Sequence, residues 1–425
     1  MVKALFTLMF TMLLLVACKP KSDSSETKTS REARYLIGSA EDFKPEILDS
    51  IDEQRLAKDW AYQRETSWTL WSDLTQNVER GRASFVKWQT WYSKEDLQRI
   101  FRQIYGSMTK EERASRKAFT PEHIEAGLKF HDHDQYLDPS WNTKTFETWF
   151  AKFDSEQKKT SIPGLNKVLM NRTALVFFMT HYMAIDACTR TDVKPCEAIH
   201  IPEGAAFIKT AWRRGQGDFL VPYYQTNFLN EQFAAAEWQQ SKAEIPSDGT
   251  SYHLDTVTGQ IYHLVGVHLT LKLKESWLWT SIWLDADEAK TVDTKPAALS
   301  PLWNNYKLCS VNGYEPLANQ DSLDPFESEI AKNESRLGAS WCSSPYLEGG
   351  INNHQTNCIG CHQHAGESWT EEVFNDQLQN NLALVTQKSK DSSSSDFLWS
   401  LFNGPEPFAS FISQEVDYFD VYDLY

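Results

Sequence analysis

The stretch "IYHLVGVHLTLKL", Ile261 to Leu273, alternates: Val265, Val267, Leu269, Leu271 and Leu273 fall on one side of an extended chain, and Gly266, His268, Thr270 and Lys272 on the other. A period of two marks a strand with one face in a core, and branched apolar side chains suit a pleated surface. The short link "KES" leads into "WLWTSIWLDAD", Trp277 to Asp287, in which Trp277, Trp279 and Trp283 share a face. Two alternating runs joined so closely predict an antiparallel hairpin, because a parallel pair needs a crossover of a dozen or more residues. Further back, "IPEGAAFIKTAW", Ile201 to Trp212, reads as a Pro-x-Gly turn that feeds another apolar strand. This is antiparallel sheet, not a βαβ fold. The same alternation puts His263 and His268 on opposite sides of their strand.

Before the sheet, residues from about 50 to 160 carry helix signals. "SKEDLQRIF" from Ser93 and "TKEERASR" from Thr109 each open on a capping hydroxyl with an acid three positions on, and "TPEHIEAGLKF" sets Thr120 ahead of Pro121. Trp60, Trp68, Trp71, Trp88 and Trp91 are expected to pack helices together. The predicted class is α+β: a helical region over 46–165, then an antiparallel β-sheet-rich region over 166–425. "KSKDSSSSD", Lys388 to Asp396, reads as a solvated loop, and the tail "EVDYFDVYDLY" as a segment that docks on the body.

The first residues suggest export. Lys3 precedes an apolar run from Ala4 to Val16, and "LVAC", Leu15 to Cys18, has the layout of a secretory signal and resembles the lipobox of bacterial lipoproteins. On that reading 1–17 is a signal peptide, Cys18 carries the lipid, and 18–45 is the lipid anchor and a flexible polar linker. The run is shorter than the roughly 20 residues that span a bilayer. The expected location is the bacterial cell envelope, lipid-anchored, with Lys19 pointing to the outer membrane facing the periplasm. A net charge of −16, more negative by one without Lys3, excludes nucleic acid and an anionic lipid surface as partners and favours basic ones.

Of seven cysteines, Cys358 and Cys361 belong to "NCIGCHQHAG", Asn357 to Gly366. In CxxCH two thiols add to the vinyl groups of haem and the next histidine ligates the iron, so the motif points to one covalent haem c held by Cys358 and Cys361 with His362 as the metal ligand. Cys188, Cys196, Cys309 and Cys342 remain, an even number suited to two disulfides in an oxidising compartment; the pairing Cys188–Cys196 with Cys309–Cys342 is preferred among three connectivities. No methionine follows His362, and His364 sits too close to it to reach the iron's other face. The sixth position is therefore open, capped by His354, or capped from upstream. "HDHD", His131 to Asp134, has no further ligand assignable and reads as a solvated helix end.

The order "IPEGAAFIKTAW", hairpin, "NCIGCHQHAGESWTEEVF" resembles the sheet-rich monohaem c-type cytochromes: the lysine-crosslinked cytochromes of hydroxylamine oxidation, the β-type cytochromes c prime, and related exported bacterial cytochromes. The resemblance covers about residues 199 to 400. It implies that Lys209, in the turn-strand element, lies in the haem pocket and could be crosslinked to the porphyrin. His268, on the less apolar side of its strand, is the better histidine candidate for that pocket, and His354 is a third.

These features point to an exported, lipid-anchored monohaem c-type cytochrome acting in electron transfer, with redox protein partners bearing basic patches. Two alternatives carry the same motif: a haem oxidoreductase with an open distal site for peroxide or a small nitrogen compound, and a haem gas-binding protein.

Overall fold

A computed structural model describes residues 40–56, 59–80, 83–115, 118–128, 165–190, 200–215, 219–225, 239–245, 251–255, 261–274, 276–284, 295–314 and 408–422, with Cys342, Ser344, Tyr346, Leu347, Cys358 and His362. These residues form a mixed α+β architecture. The helices are α1 (Pro45–Asp49), α2 (Glu53–Leu56), α3 (Trp60–Leu74), α4 (Lys94–Ser107), α5 (Lys110–Ala114), α6 (Pro121–Leu128), α7 (Arg172–Thr180), α8 (Tyr182–Arg190) and α9 (Phe408–Tyr422). The strands are β1 (Asn77–Arg80), β2 (Ala83–Val86), β3 (Tyr92–Ser93), β4 (Leu165–Met170), β5 (Ala206–Gly215), β6 (Phe219–Gln225), β7 (Gln239–Ile245), β8 (His253–Asp255), β9 (Ile261–Lys272), β10 (Ser276–Leu284) and β11 (Tyr306–Tyr314). The main sheet runs β11-β10-β9-β5-β4-β3, with β8 also paired to β9. Its ladders are antiparallel. β1–β2 and β6–β7 are separate two-stranded ribbons.

β9 and β10 make the hairpin that the alternation predicts, closed by the Leu273 N–H donating to the Ser276 carbonyl at 2.8 Å. Leu271 faces Leu278, Leu269 faces Thr280 and Val267 faces Ile282; on the other side Lys272 faces Trp277, Thr270 faces Trp279, His268 faces Ser281 and Gly266 faces Trp283. Every residue of β10 is buried, so both faces of this central strand are covered.

The alternation breaks at one point. On the β5 side Ala211 pairs with Gly266 but Trp212 pairs with Leu264, which leaves Val265 without an opposite number. One extra residue reverses the sidedness of everything before it. β5 itself runs on regularly across this point. The half-buried positions record the shift, at Ile261 and His263 and then at His268 and Thr270. His263 therefore shares a face with His268, contrary to the expectation from simple alternation. It engages other partners: its Nδ1 lies 2.7 Å from Ser251 Oγ, and its ring 6.0 Å from that of His253.

Burial, with the neighbouring His253 as a second cause, lowers the His263 pKa below the ordinary 6.5. A lowered value means that folding favours the neutral ring, so this contribution is whole above pH 6.5 and is lost as pH falls through the depressed folded value. We expect His263→Gln to flatten the acid side of the melting-temperature profile below pH 6.5. Identical slopes for the two proteins between pH 7.5 and 5, windows of about one unit either side of a histidine's range, would refute this.

The sheet face that carries Leu269 and Thr280 rests on α3, where Thr280 Oγ1 donates to Ser67 Oγ at 2.8 Å. A chain of rings fills the interface: Trp71 against Trp303 at 5.0 Å, Trp303 against Tyr252 at 5.6 Å, and Trp88 against both Trp71 at 6.5 Å and Trp212 at 6.2 Å. Trp71 and Trp88 thus bind helix to sheet, where the sequence suggested helix to helix. Lys87 and Asp73 form a buried ion pair beside this cluster.

Local sequence signals account for the ends of the elements. Ser93 and Thr109 cap α4 and α5 in reciprocal boxes with Asp96 and Glu112, and the His123 N–H reaches Thr120 Oγ1 at 3.3 Å at the start of α6. Gly204, in the turn before β5, has φ +80°, where a side chain would be strained. Asn171 locks that turn to α7: its Oδ1 accepts from the Ala174 and Ala206 N–H groups at 3.0 Å, and its Nδ2 donates to the Gly204 carbonyl at 2.8 Å. Losing a cap and orphaning buried backbone groups predicts that Asn171→Ala costs about 3 kcal/mol in chemical denaturation; a loss below about 1 kcal/mol would mean that other groups take over.

The C-terminal tail docks as α9. Its Glu415, buried, accepts from Arg102 Nε and Nη2 at 2.6 Å and from Gln98 Nε2 at 2.7 Å, tying α9 to α4.

Candidate functional site

The face of the sheet turned away from α3 carries the chemistry. β10 presents Trp277, Trp279, Ser281 and Trp283 to it, β9 presents Gly266, His268, Thr270 and Lys272, and β5 presents Phe207, Lys209 and Ala211. Directly paired residues share a side, so this assignment follows from the register alone. The Trp277 and Trp279 rings stack at 6.2 Å, and Lys272 Nζ lies 5.1 Å over Trp277. Cation and aromatic face attract each other in such an arrangement.

His362 rests on this face, its ring centroid 5.7 Å from that of Trp279. His362 and Cys358 both have helical backbone. Cys358 is half-buried and packs against the core. A disulfide joins Cys309, opposite Ser281 on β11, to Cys342. It brings Ser344, Tyr346 and Leu347 over Gly266, where a Cβ would meet their side chains at 3.2 to 3.3 Å. A side chain at this position would force those neighbours to give by a few tenths of an ångström.

Lys209, His268 and His362 are thus gathered on one side of the sheet. Lys209 and His268, both half-buried, face each other across β5 and β9. Cys188 lies within α8, and nothing is described of its side chain; Cys18, Cys196, His354, Cys361 and His131 to Asp134 lie outside the described residues. Sequence reading missed Ser281, although a signal was present: it stands where the series Trp277, Trp279, Trp283 calls for another tryptophan. Its Oγ is buried without a hydrogen-bond partner.

An aromatic wall, an imidazole resting on it and a half-buried cysteine four positions earlier in the chain suit a large planar group attached through sulfur. Cys358 and His362 are the described residues that could hold such a group here; Cys361, of the same motif, lies outside them. The orphaned Ser281 hydroxyl on the same wall is a polar group that the protein's own atoms leave unmet, as expected of a surface built against something else. Among the described residues no group of three or more His, Cys, Asp or Glu side chains could hold a metal ion, and no helix is long and apolar enough to cross a membrane.

No protein-family model, curated protein or solved structure matches the chain.

Proposed function

We propose that the protein is an exported, lipid-anchored c-type cytochrome with one covalent haem, acting in electron transfer. One observation carries this reading: the histidine of CxxCH rests on Trp279, on the sheet face that also holds Lys209 and His268. When bound, haem supplies a one-electron iron couple. Cys358 and Cys361 would hold it through sulfur, and His362 would supply a nitrogen ligand to the iron. Trp279 fixes the plane of the His362 ring, and the tryptophan wall keeps water from that side. In this reading the helices of 46–165 brace the opposite face, while 166–425 forms the haem region. A net charge of −16 favours redox partners with basic docking patches, with association that weakens as salt rises.

A second reading is favoured by the polar side chains next to the wall. Lys209 and His268 would suit a polar ligand beside the iron, as in an oxidoreductase acting on peroxide or a small nitrogen compound, or in a gas-binding protein. One preparation tests both readings. The protein is produced with bacterial haem-attachment machinery, and its intact mass and pyridine haemochrome spectrum are recorded. A mass increment of one porphyrin that survives denaturation is expected. Its absence removes the cytochrome reading. Carbon monoxide is then added to the ferrous protein: an unchanged spectrum leaves electron transfer, whereas a shifted Soret band favours an open face.

A further inference from the structure

We infer that Lys209, His268 and Ser281 form a binding site for a small carboxylate-like oxyanion. The three stand side by side across three neighbouring strands: Lys209 faces His268 between β5 and β9, and His268 faces Ser281 between β9 and β10. Adjacent strands lie about 4.8 Å apart, so the row spans roughly 10 Å of one sheet face. The rows on either side are largely apolar, with Phe207, Thr270 and Trp279 in one and Ala211, Gly266 and Trp283 in the other. A polar row thus crosses an aromatic surface.

Ser281 makes the row more than a chance of composition. It has no exposed surface, and its Oγ has no hydrogen-bond partner. A buried hydroxyl left unmet costs about 1–3 kcal/mol, which alanine at that position would not incur. A ligand that accepts its proton recovers that loss. The partners across the strands decide the ligand's sign: an ammonium, an imidazole and a hydroxyl all donate, and the row itself holds no carboxylate. Donors of this kind converge on anionic oxygens, with the charged ones making the stronger bonds. The row lies between the two coverings of the face, with His362 on Trp279 to one side and Tyr346 and Leu347 over Gly266 to the other. Two sources supply the same chemistry. One is a free small oxyanion; the other is a carboxylate of the porphyrin, and only this second source rests on the haem reading.

The test uses the full chain as secreted, with formate as probe. Formate is titrated while tryptophan fluorescence and, where porphyrin is attached, the Soret band are followed. Wild type is compared with Ser281→Ala and His268→Gln. Ser281→Ala is expected to melt no lower than wild type, which separates a binding defect from misfolding. Saturable formate binding that weakens at least tenfold in both variants supports a free oxyanion as occupant. Porphyrin-loaded protein that ignores formate, but whose reduction potential shifts in both variants, supports the porphyrin carboxylate. The absence of both responses overturns the site. If no porphyrin attaches at all, the cytochrome reading falls and the formate titration alone decides, with no saturation counting against the site.

Discussion

Asp73→Ala is expected to destabilise the fold by about 3–5 kcal/mol, the usual cost of breaking one side of a buried ion pair. Both Asp73 oxygens lie 2.9 Å from Lys87 Nζ, and the side chains are 1% and 5% exposed. Lys44 Nζ, 3.8 Å from Asp73 and 52% exposed, is a second cation and offers Lys87 no compensation. Removing the carboxylate leaves the Lys87 ammonium enclosed with its charge uncompensated. The damage reaches the sheet, because Lys87 opens the short 3-10 turn that carries Trp88 into the ring cluster between α3 and Trp212. Replacing both charges, as in Asp73→Leu with Lys87→Met, removes the desolvation cost along with the attraction and should restore most of the loss. Urea midpoints of the three proteins measure this. A single variant within about 1 kcal/mol of wild type would show that Lys87 escapes to water.

Removing the disulfide by Cys309→Ala with Cys342→Ala is expected to cost about 3–4 kcal/mol, from the chain entropy released in the unfolded state by a loop of this length. The two residues are 33 apart in sequence and 5.4 Å apart at Cα. The effect should also be local to the site. Cys309 stands next to Ser281, and the crosslink holds Ser344, Tyr346 and Leu347 against Gly266 and so over the Trp283 end of the wall. Without it, acrylamide should quench tryptophan emission more strongly at temperatures well below unfolding. Equal stability and equal quenching in the two proteins would show that the packing over Gly266 holds this segment without the bond.

Much of the fold was legible because it is local. The caps at Ser93, Thr109 and Thr120, the glycine turn at Gly204 and the β9–β10 hairpin each depend on residues a few positions apart, and short-range sterics and hydrogen bonding decide them. The bulge at Val265 was not legible. Nothing in "HLVGVHL" distinguishes a regular strand from one that skips a partner, because the skip exists only against β5. The role of the tryptophans failed for a related reason: Trp71 and Trp88 meet rings from Trp212 and Trp303, far away along the chain. An apolar side chain records that it will be buried, but not against what.

By itself the sequence determined the β9–β10 hairpin, the helix caps, the α+β class and the residues of the CxxCH motif, since spacing within a motif is a property of neighbours along one chain. Tertiary structure alone decided that His362 comes to rest on Trp279, that Lys209, His268 and Ser281 line up across three strands, and that His263 turns to their side. These follow from strand register, which is set by the packing of the whole sheet at once. A slip of one residue would leave every local signal intact and move each of these side chains to the opposite face.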